Sequence, residues 1–306
     1  MKTGDYYSAG KLLLTGEYLV LCGAQALAIP LNVGQGMTVL AVSEPGMIHW
    51  KTRVLDGDWF SAGFRLPELD IAETSDLSVA SGLRGILTAG ADLNPGFFKE
   101  QDGYEIHSRL DFDIRWGWGS SSSLVSNIAW WMEIDPYHLF KKIYRGSGYD
   151  VFCARAKKPI LFQLIDNEPL VSEVEFDPPF LEKLYFVYLG HKQDSQQSVS
   201  RFRSEATVSK VDIEAISGLT REMLASKSLL DFMAVMNRHE DIVSSLLNIP
   251  PVGKSRFPDF PGTLKSLGAW GGDFIMAASS ESEETVRDYF RSKGLGVIFK
   301  YLDLAL

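Results

Sequence analysis

Residues 117 to 123 read Gly117-Trp118-Gly119-Ser120-Ser121-Ser122-Ser123, and the pattern around them predicts a strand before (104–114) and a helix after (124–132). A turn of this kind sets backbone N–H groups at a helix start, where peptide dipoles gather partial positive charge, so a phosphate finds donors already aimed at it. Glycines let the main chain approach the anion closely, and serine hydroxyls can donate to phosphate oxygens or ligate Mg²⁺. The same residues also suit a flexible turn in which a serine caps the following helix. The chain carries neither a GxxxxGK[ST] loop nor a GxGxxG fingerprint, so any phosphate cradle here is of another type.

Three further glycine-bearing stretches hold groups able to do chemistry. Gly10-Lys11-Leu12-Leu13-Leu14-Thr15-Gly16-Glu17-Tyr18 lies near the N-terminus, Gly146-Ser147-Gly148-Tyr149-Asp150 in the middle, and Gly268-Ala269-Trp270-Gly271-Gly272-Asp273 near the C-terminus. Lys11 offers a positive charge for an acceptor or a moving phosphoryl group, and Glu17 a carboxylate for a hydroxyl or a cation. Asp150 can take a proton. Each has a plain alternative: a solvated strand-end lysine, an aspartate capping a helix, a Gly-Gly-Asp turn.

In this order and at these positions the four stretches resemble the GHMP kinases (galacto-, homoserine, mevalonate and phosphomevalonate kinases). Gly117, Gly119, Ser120 and Ser121 match the family's G-L-G-S-S-A-A loop over the triphosphate, with Trp118 for leucine and Ser122-Ser123 for the two alanines. Gly10 to Glu17 is similar to G-K-x-x-L-x-G-E, and Gly23 to Leu31 continues as the G-x-x-A-L-A-x-P of mevalonate and phosphomevalonate kinases. Gly268 to Asp273 resembles G-A-G-G-G-D, and Ser147 to Asp150 the S-G-x-D that carries the catalytic aspartate.

The resemblance implies an α+β, two-domain GHMP kinase fold. An N-terminal domain like ribosomal protein S5 domain 2 would cover 1–165 with the ATP-binding loop, a ferredoxin-like C-terminal domain would cover 166–306, and the active site would lie in the cleft between them. It implies ATP and Mg²⁺ as cofactors and mevalonate or phosphomevalonate as the small-molecule acceptor. Asp150 becomes the base and Lys11 its cationic partner. Gly117, Gly119, Ser120, Ser121 and Ser122 become nucleotide contacts, with Ser121 on the metal. Glu17, Lys192, Ser195, Gly271, Gly272 and Asp273 become acceptor-side residues.

The match has departures. Only 26 residues separate Ser123 from Asp150, fewer than the family usually has, and the stretch that supplies a metal-binding glutamate in mevalonate kinases offers only Glu133 and Asp135. Trp118, Trp270 and Tyr149 are bulky beside glycines and would either narrow a nucleotide pocket or stack on the base. The segment Gly190 to Ser198 is loosely similar to an acceptor-facing T-G-x-x-x-S-T loop, which would use Lys192, Ser195 and Ser198 with Arg201 and Arg203 nearby; the plain reading is a solvated polar loop. These departures keep open a GHMP-fold nucleotide-binding protein without turnover, beside a related decarboxylase acting on a diphosphorylated acceptor.

Positioning such residues requires a particular run of elements. The N-terminal third reads as strands, including 37–42 and 47–54 about the turn Glu44-Pro45-Gly46, and 75–91 as a helix capped by Thr74 or Ser75. After the Gly/Ser turn come helices over 124–132 and 136–144, then a strand over 160–165. A polar, proline-bearing stretch at 166–179 is the candidate domain junction. Beyond it the pattern predicts a strand at 184–189, helices at 211–225 and 228–247, a helix around 263–267, a strand at 274–278, a helix at 281–293 and a strand at 297–301.

Composition excludes other classes. A hydrophobic share of 45% over 306 residues can bury a core. Thirty Lys and Arg against 39 Asp and Glu give a charge of −9, with no basic run to follow a nucleic-acid backbone. Cys22 and Cys153 sit in apolar surroundings, outside any zinc-type cluster, and none of the five histidines has metal-ligand spacing. No stretch approaches the roughly 18 apolar residues of a membrane span, and the first residues lack a signal-peptide pattern. The expectation is a cytoplasmic enzyme without a nucleic-acid or membrane partner.

Overall fold

The computed structural model describes residues 2–191, 195–270 and 273–306. It is a mixed α+β structure that divides into two compact units. Unit 1 comprises 2–10, Val33–Ile114 and Trp118–Arg155; unit 2 comprises Lys11–Asn32, Arg115–Gly117 and Ala156–Leu306. The units therefore do not follow one cut in the sequence, since an early segment from Lys11 to Asn32 belongs with the C-terminal half.

Unit 1 is a mixed sheet with helices packed on it. Its strands are β1 (Gly4–Leu13), β2 (Ala26–Ala41), β3 (Met47–Val54), β4 (Gly57–Arg65), β5 (Asp70–Thr74) and β6 (Gly103–Leu110). They run in the order β5-β4-β3-β6-β2, with β1 also on β2, and only β3 and β6 are parallel among the described pairs. Alternation decides the faces: Met37, Val39, Ile48, Trp50, Phe64 and Ile106 point into the core. Helices α1 (Leu77–Leu93) and α2 (Ser120–Trp131) meet them with Leu83, Leu87, Ile128 and Trp131. Helices α3 (Pro136–Ile143) and α4 (Tyr149–Cys153) complete the layer. The cap of α1 is Asp76, which accepts from the N–H groups of Ser78 and Val79, rather than the expected Thr74 or Ser75. A carboxylate two bonds from the backbone reaches both orphan donors of the first turn.

Unit 2 takes the ends of β1 and β2 nearest its own residues, with β7 (Ile160–Ile165) pairing Ala26–Ala28 of β2 and β8 (Glu168–Glu173) returning beside it. The stretch expected to be a domain junction thus begins with a hairpin. Asp166 and Asn167 both have positive φ, the conformation that fits a two-residue turn to twisted strands. A second, antiparallel sheet has the order β10-β11-β9-β12, from β9 (Leu184–Tyr188), β10 (Thr263–Ser266), β11 (Phe274–Ala278) and β12 (Ile298–Lys300). Around it lie α5 (Ser195–Glu205), α6 (Lys210–Ala225), α7 (Leu229–Leu247), α8 (Val252–Arg256), α9 (Glu283–Ser292) and α10 (Tyr301–Leu304).

Two expectations are corrected here. Residues 263–266 form a strand, not a helix, because all four are buried and each pairs with β11, so no exposed face shows a period. Residues 195–205 form a helix where a polar loop was expected; within it Phe202 is the buried apolar anchor. Among the described residues no helix is long and apolar enough to cross a membrane.

Candidate functional site

In unit 1 the Gly/Ser turn becomes a helix earlier than its apolar pattern suggested. Gly119, in the left-handed region with φ 89°, is the N-cap, and α2 starts at Ser120. The four serines then divide into two kinds. Ser122 and Ser123 are buried; Ser122 Oγ donates to the Gly119 carbonyl at 2.9 Å, and Ser123 Oγ donates to Gln35 Oε1 at 2.8 Å. Ser120 is half-buried and Ser121 exposed, so these two hydroxyls stand where an anion or cation can reach them.

A buried polar chain fixes that helix start. Asn127 Nδ2 donates to the Gln35 carbonyl at 2.8 Å and its Oδ1 accepts from Ser8 Oγ at 2.8 Å, while Gln35 Nε2 donates to Ser108 Oγ at 2.8 Å. Three strands thus hold the first two turns of α2. Satisfied networks of this kind rigidify what they join. Trp118 is buried, 5.7 Å from Phe112 ring to ring, so its ring is part of the core rather than a platform for a base.

Asp150 lies in the first turn of α4, half-buried, after Gly148 at φ 87°. Glycine is required there, because a Cβ would lie 2.6 Å from the Tyr137 ring. Sequence reasoning passed over Tyr144 beside it. Burial pushes the Tyr144 phenol up in pKa, a hydrogen bond with Ser121 pulls it back, and the charge of Asp150 adds to the rise. Ser121 and Asp150 are therefore both neighbours of one phenol.

The two remaining acidic candidates for a metal are spent elsewhere. Glu133 pairs with Lys2, and Asp135 caps α3 by accepting from the His138 N–H at 2.8 Å. Among the described residues no group of three His, Cys, Asp or Glu could hold a metal ion. That donor set still fits Mg²⁺, which takes one or two protein oxygens and completes its shell from phosphates and water; the exposed Ser121 hydroxyl is such an oxygen.

In unit 2 three of the predicted stretches meet. Lys11 Nζ donates to the Gly117 carbonyl at 3.2 Å. The Asp273 carboxylate fills the space a side chain on that residue would need, since a Cβ on Gly117 would lie 2.6 Å from Asp273 Oδ2. The same oxygen lies 3.8 Å from where a Cβ on Gly268 would be, and both glycines have positive φ. A lysine and an aspartate from opposite ends of the chain therefore converge on the residue that opens the Gly/Ser turn.

Glu17 is placed differently from an open substrate ligand. It is fully enclosed: its Oε1 receives the Lys265 ammonium and its Oε2 lies 3.3 Å from His239 Nε2. Burial pushes its carboxyl up in pKa and Lys265 draws it back in part. Next to it Tyr18, held up at about 12 mainly by burial, donates to the Ala269 carbonyl at 2.9 Å and packs against Phe202 of α5. Ser198 also bonds the Tyr18 hydroxyl. Lys192, Gly271 and Gly272 lie outside the described residues, as does the side chain of Ser195. Arg201 is paired with Glu205 at 2.9 Å.

A separate cavity of about 1030 Å³ borders unit 1 beside Tyr7, Lys51, Arg53, Trp59, His107 and Arg109. No predicted site residue lines it. Its cations already face carboxylates, as in Arg53–Asp58 at 3.2 Å and Lys51–Glu105 at 3.8 Å.

No protein-family model and no curated protein sequence matches the chain. Solved structures do. A mevalonate kinase of Methanococcus jannaschii is similar at TM-score 0.71 and 18% identity, over 97% of each chain. A Streptococcus pneumoniae phosphomevalonate kinase, solved with phosphomevalonate and AMPPNP, is similar at 0.70 and 15%, over 97% of this chain and 99% of that one. A Lactococcus lactis galactokinase, solved with galactose, gives 0.68 and 11%, over 99% and 93%. The chain has the fold of these small-molecule kinases along nearly its whole length, as the resemblance to GHMP kinases led one to expect.

Proposed function

We propose that this protein is an ATP-dependent kinase of the GHMP type, moving the γ-phosphoryl of MgATP to the hydroxyl of a mevalonate-type acceptor. The observation that carries the reading is the meeting of Lys11 and Asp273 on Gly117, because it joins three otherwise weak motifs at the head of a helix-opening Gly/Ser turn. The likeness to mevalonate and phosphomevalonate kinase structures supports it.

In this reading the N–H groups opening α2 and the hydroxyls of Ser120 and Ser121 bind the phosphates. Asp150 accepts the proton of the acceptor hydroxyl as its oxygen attacks the γ-phosphorus. Lys11 offsets the charge on the phosphoryl oxygens. Bound at Ser121, Mg²⁺ would supply further neutralisation of that charge. Asp273 and the glycine-rich loop before it flank the acceptor. Two aromatic departures do not remove these groups: Trp118 is core, and Trp270 is buried as well.

ADP release, coupled to a spectroscopic readout, tests the reading with mevalonate, phosphomevalonate, homoserine and galactose as acceptors. Turnover with mevalonate above the others is expected. Turnover with phosphomevalonate alone would move the assignment to an acceptor phosphate. ATP binding without turnover on the whole panel would make it a binding protein of this fold.

A further inference from the structure

Unit 2 buries four ionisable side chains that phosphoryl transfer as proposed does not use. Glu17, His239, Glu240 and Lys265 are each at most 2% exposed. Their geometry is specific. Lys265 pairs with Glu17 Oε1 and donates to the Ser266 carbonyl at 3.0 Å. His239 Nε2 accepts from the Gly16 N–H at 3.0 Å, so its proton sits on Nδ1. Glu240 accepts twice from Ser266, at 3.0 Å from the N–H to Oε1 and at 3.1 Å from the hydroxyl to Oε2.

Adjacent residues of α7 thus grip two different segments, His239 the 16–18 turn and Glu240 the end of β10. The Glu17–Lys265 pair then ties those segments to each other across 248 positions of sequence, and Tyr18 adds a bond to Ala269. Removing two charges from water costs several kcal/mol per ion, and an apolar pair of like volume is commonly as stable. Stability alone therefore gives weak grounds for an ion pair here, whereas fixing one register between two segments is what such pairs do best. Each segment leads to a group of the proposed site: the turn follows the strand bearing Lys11, and β10 runs into the loop ending at Asp273.

We infer that Lys265 is a positioning residue, whose bond to Glu17 sets the segment 266–270 so that Asp273 and Lys11 both meet Gly117. The inference rests on the kinase reading for its catalytic consequence, and on this buried clamp alone for its structural one. Lys265 touches no substrate in this scheme; it acts through Glu17, Ser266 and the loop that follows.

Lys265→Met leaves the Glu17 carboxylate buried without its cation and is expected to fold poorly. The paired variant Glu17→Gln/Lys265→Met removes both charges and keeps the fold, so the test is run on it in the full chain. Three readouts are taken: melting temperature, kcat and KM for MgATP and for the acceptor, and hydrogen–deuterium exchange over 266–270. A melting temperature near wild type, kcat lowered tenfold or more, KM for MgATP within about threefold and faster exchange at 266–270 are expected. Wild-type kcat and exchange in the stable paired variant would overturn the inference and leave the pair a packing feature. A change confined to the acceptor KM would also overturn it, assigning Glu17 to the substrate. If the wild type transfers phosphoryl to no acceptor, the kinase reading fails while the exchange data still decide whether Lys265 orders the loop.

Discussion

Asp273 stands so close to Gly117 that a methyl group added there would lie 2.6 Å from the Asp273 Oδ2. The two residues come from stretches more than half the chain apart, and their contact is possible only because Gly117 lacks a side chain and accepts φ 68°. Lys11 reaches the same residue through its carbonyl. The glycine is therefore a joint between a cation and a carboxylate, not only a flexible turn.

Gly117→Ala tests that joint. A left-handed φ costs a residue with a Cβ about 1–2 kcal/mol, and the Asp273 carboxylate must move as well. A melting temperature lower by a few degrees is expected, with activity reduced more than tenfold, since the displaced group lies in the proposed site. Asp273→Ala should be equally inactive, and the double variant no worse than either single one. Losses that multiply in the double variant would mean the two residues act independently.

The four serines of the turn are predicted to separate by role. Ser121 is exposed and bonds the Tyr144 hydroxyl, so Ser121→Ala should lower the melting temperature by no more than a few degrees, the loss of about one hydrogen bond, while raising the Mg²⁺ concentration needed for half-maximal rate. Ser123→Ala should do the reverse. It strands the buried Gln35 Oε1, at a cost of about 1–3 kcal/mol, and changes the Mg²⁺ requirement little. Thermal melts beside Mg²⁺ titrations of the initial rate distinguish the two, and equal Mg²⁺ dependence in both variants would remove Ser121 from the metal.

Much of this was legible from local pattern. The strands at Ile160–Ile165 and Phe274–Ala278 and the helix ending at Leu247 fall where apolar runs and breakers put them. The motif residues Lys11, Ser121, Asp150 and Asp273 announced themselves because glycine, hydroxyl and charge in short fixed spacings are readable in one dimension. Lys265 did not, because a lysine in a four-residue strand buried on both faces carries no alternation and looks like a helix or turn residue. His239 reads as a surface residue of the helix expected at 228–247, yet it is fully buried; nothing local tells that it contacts Gly16 or that Glu240 contacts Ser266. Helix α5 was missed for the opposite reason: its serines, glutamines and arginines favour solvent, and its order comes from Phe202 packing on Tyr18.

Glu240 makes stability depend on pH in a definite direction. Burial raises its carboxyl from the ordinary 4.5 to about 7, with Lys265 opposing and Glu17 adding to the rise. Between these values the folded chain keeps a proton that the unfolded chain releases, so unfolding becomes easier as pH climbs from about 4.5 to 7 and levels off above. A gap of that size corresponds to about 3 kcal/mol from this one group. Glu240→Gln, which cannot ionise, should flatten that dependence and melt no lower than wild type at pH 8. Denaturant unfolding at pH 5, 6, 7 and 8 measures it, and parallel curves for the two proteins would rule out Glu240 as the titrating group.

Asp150→Asn discriminates between acceptors and so bears on the reaction itself. A hydroxyl must lose its proton as it attacks phosphorus, and a positioned base is worth about 10²–10⁴ in rate. An acceptor phosphate is already ionised at neutral pH and needs no base. If the physiological acceptor is an alcohol, the variant should retain nucleotide binding and lose kcat by about two orders of magnitude or more. Any residual transfer to a phosphate acceptor should then fall far less. The measurement is a set of initial rates with mevalonate and phosphomevalonate, run with both proteins at saturating MgATP. Small, equal losses on the two acceptors would show that Asp150 only supports the first turn of α4, where it accepts from the Val151 N–H at 3.2 Å, and the proton would then have to leave by way of another group, with Tyr144, bonded to Ser121, the first to replace by phenylalanine.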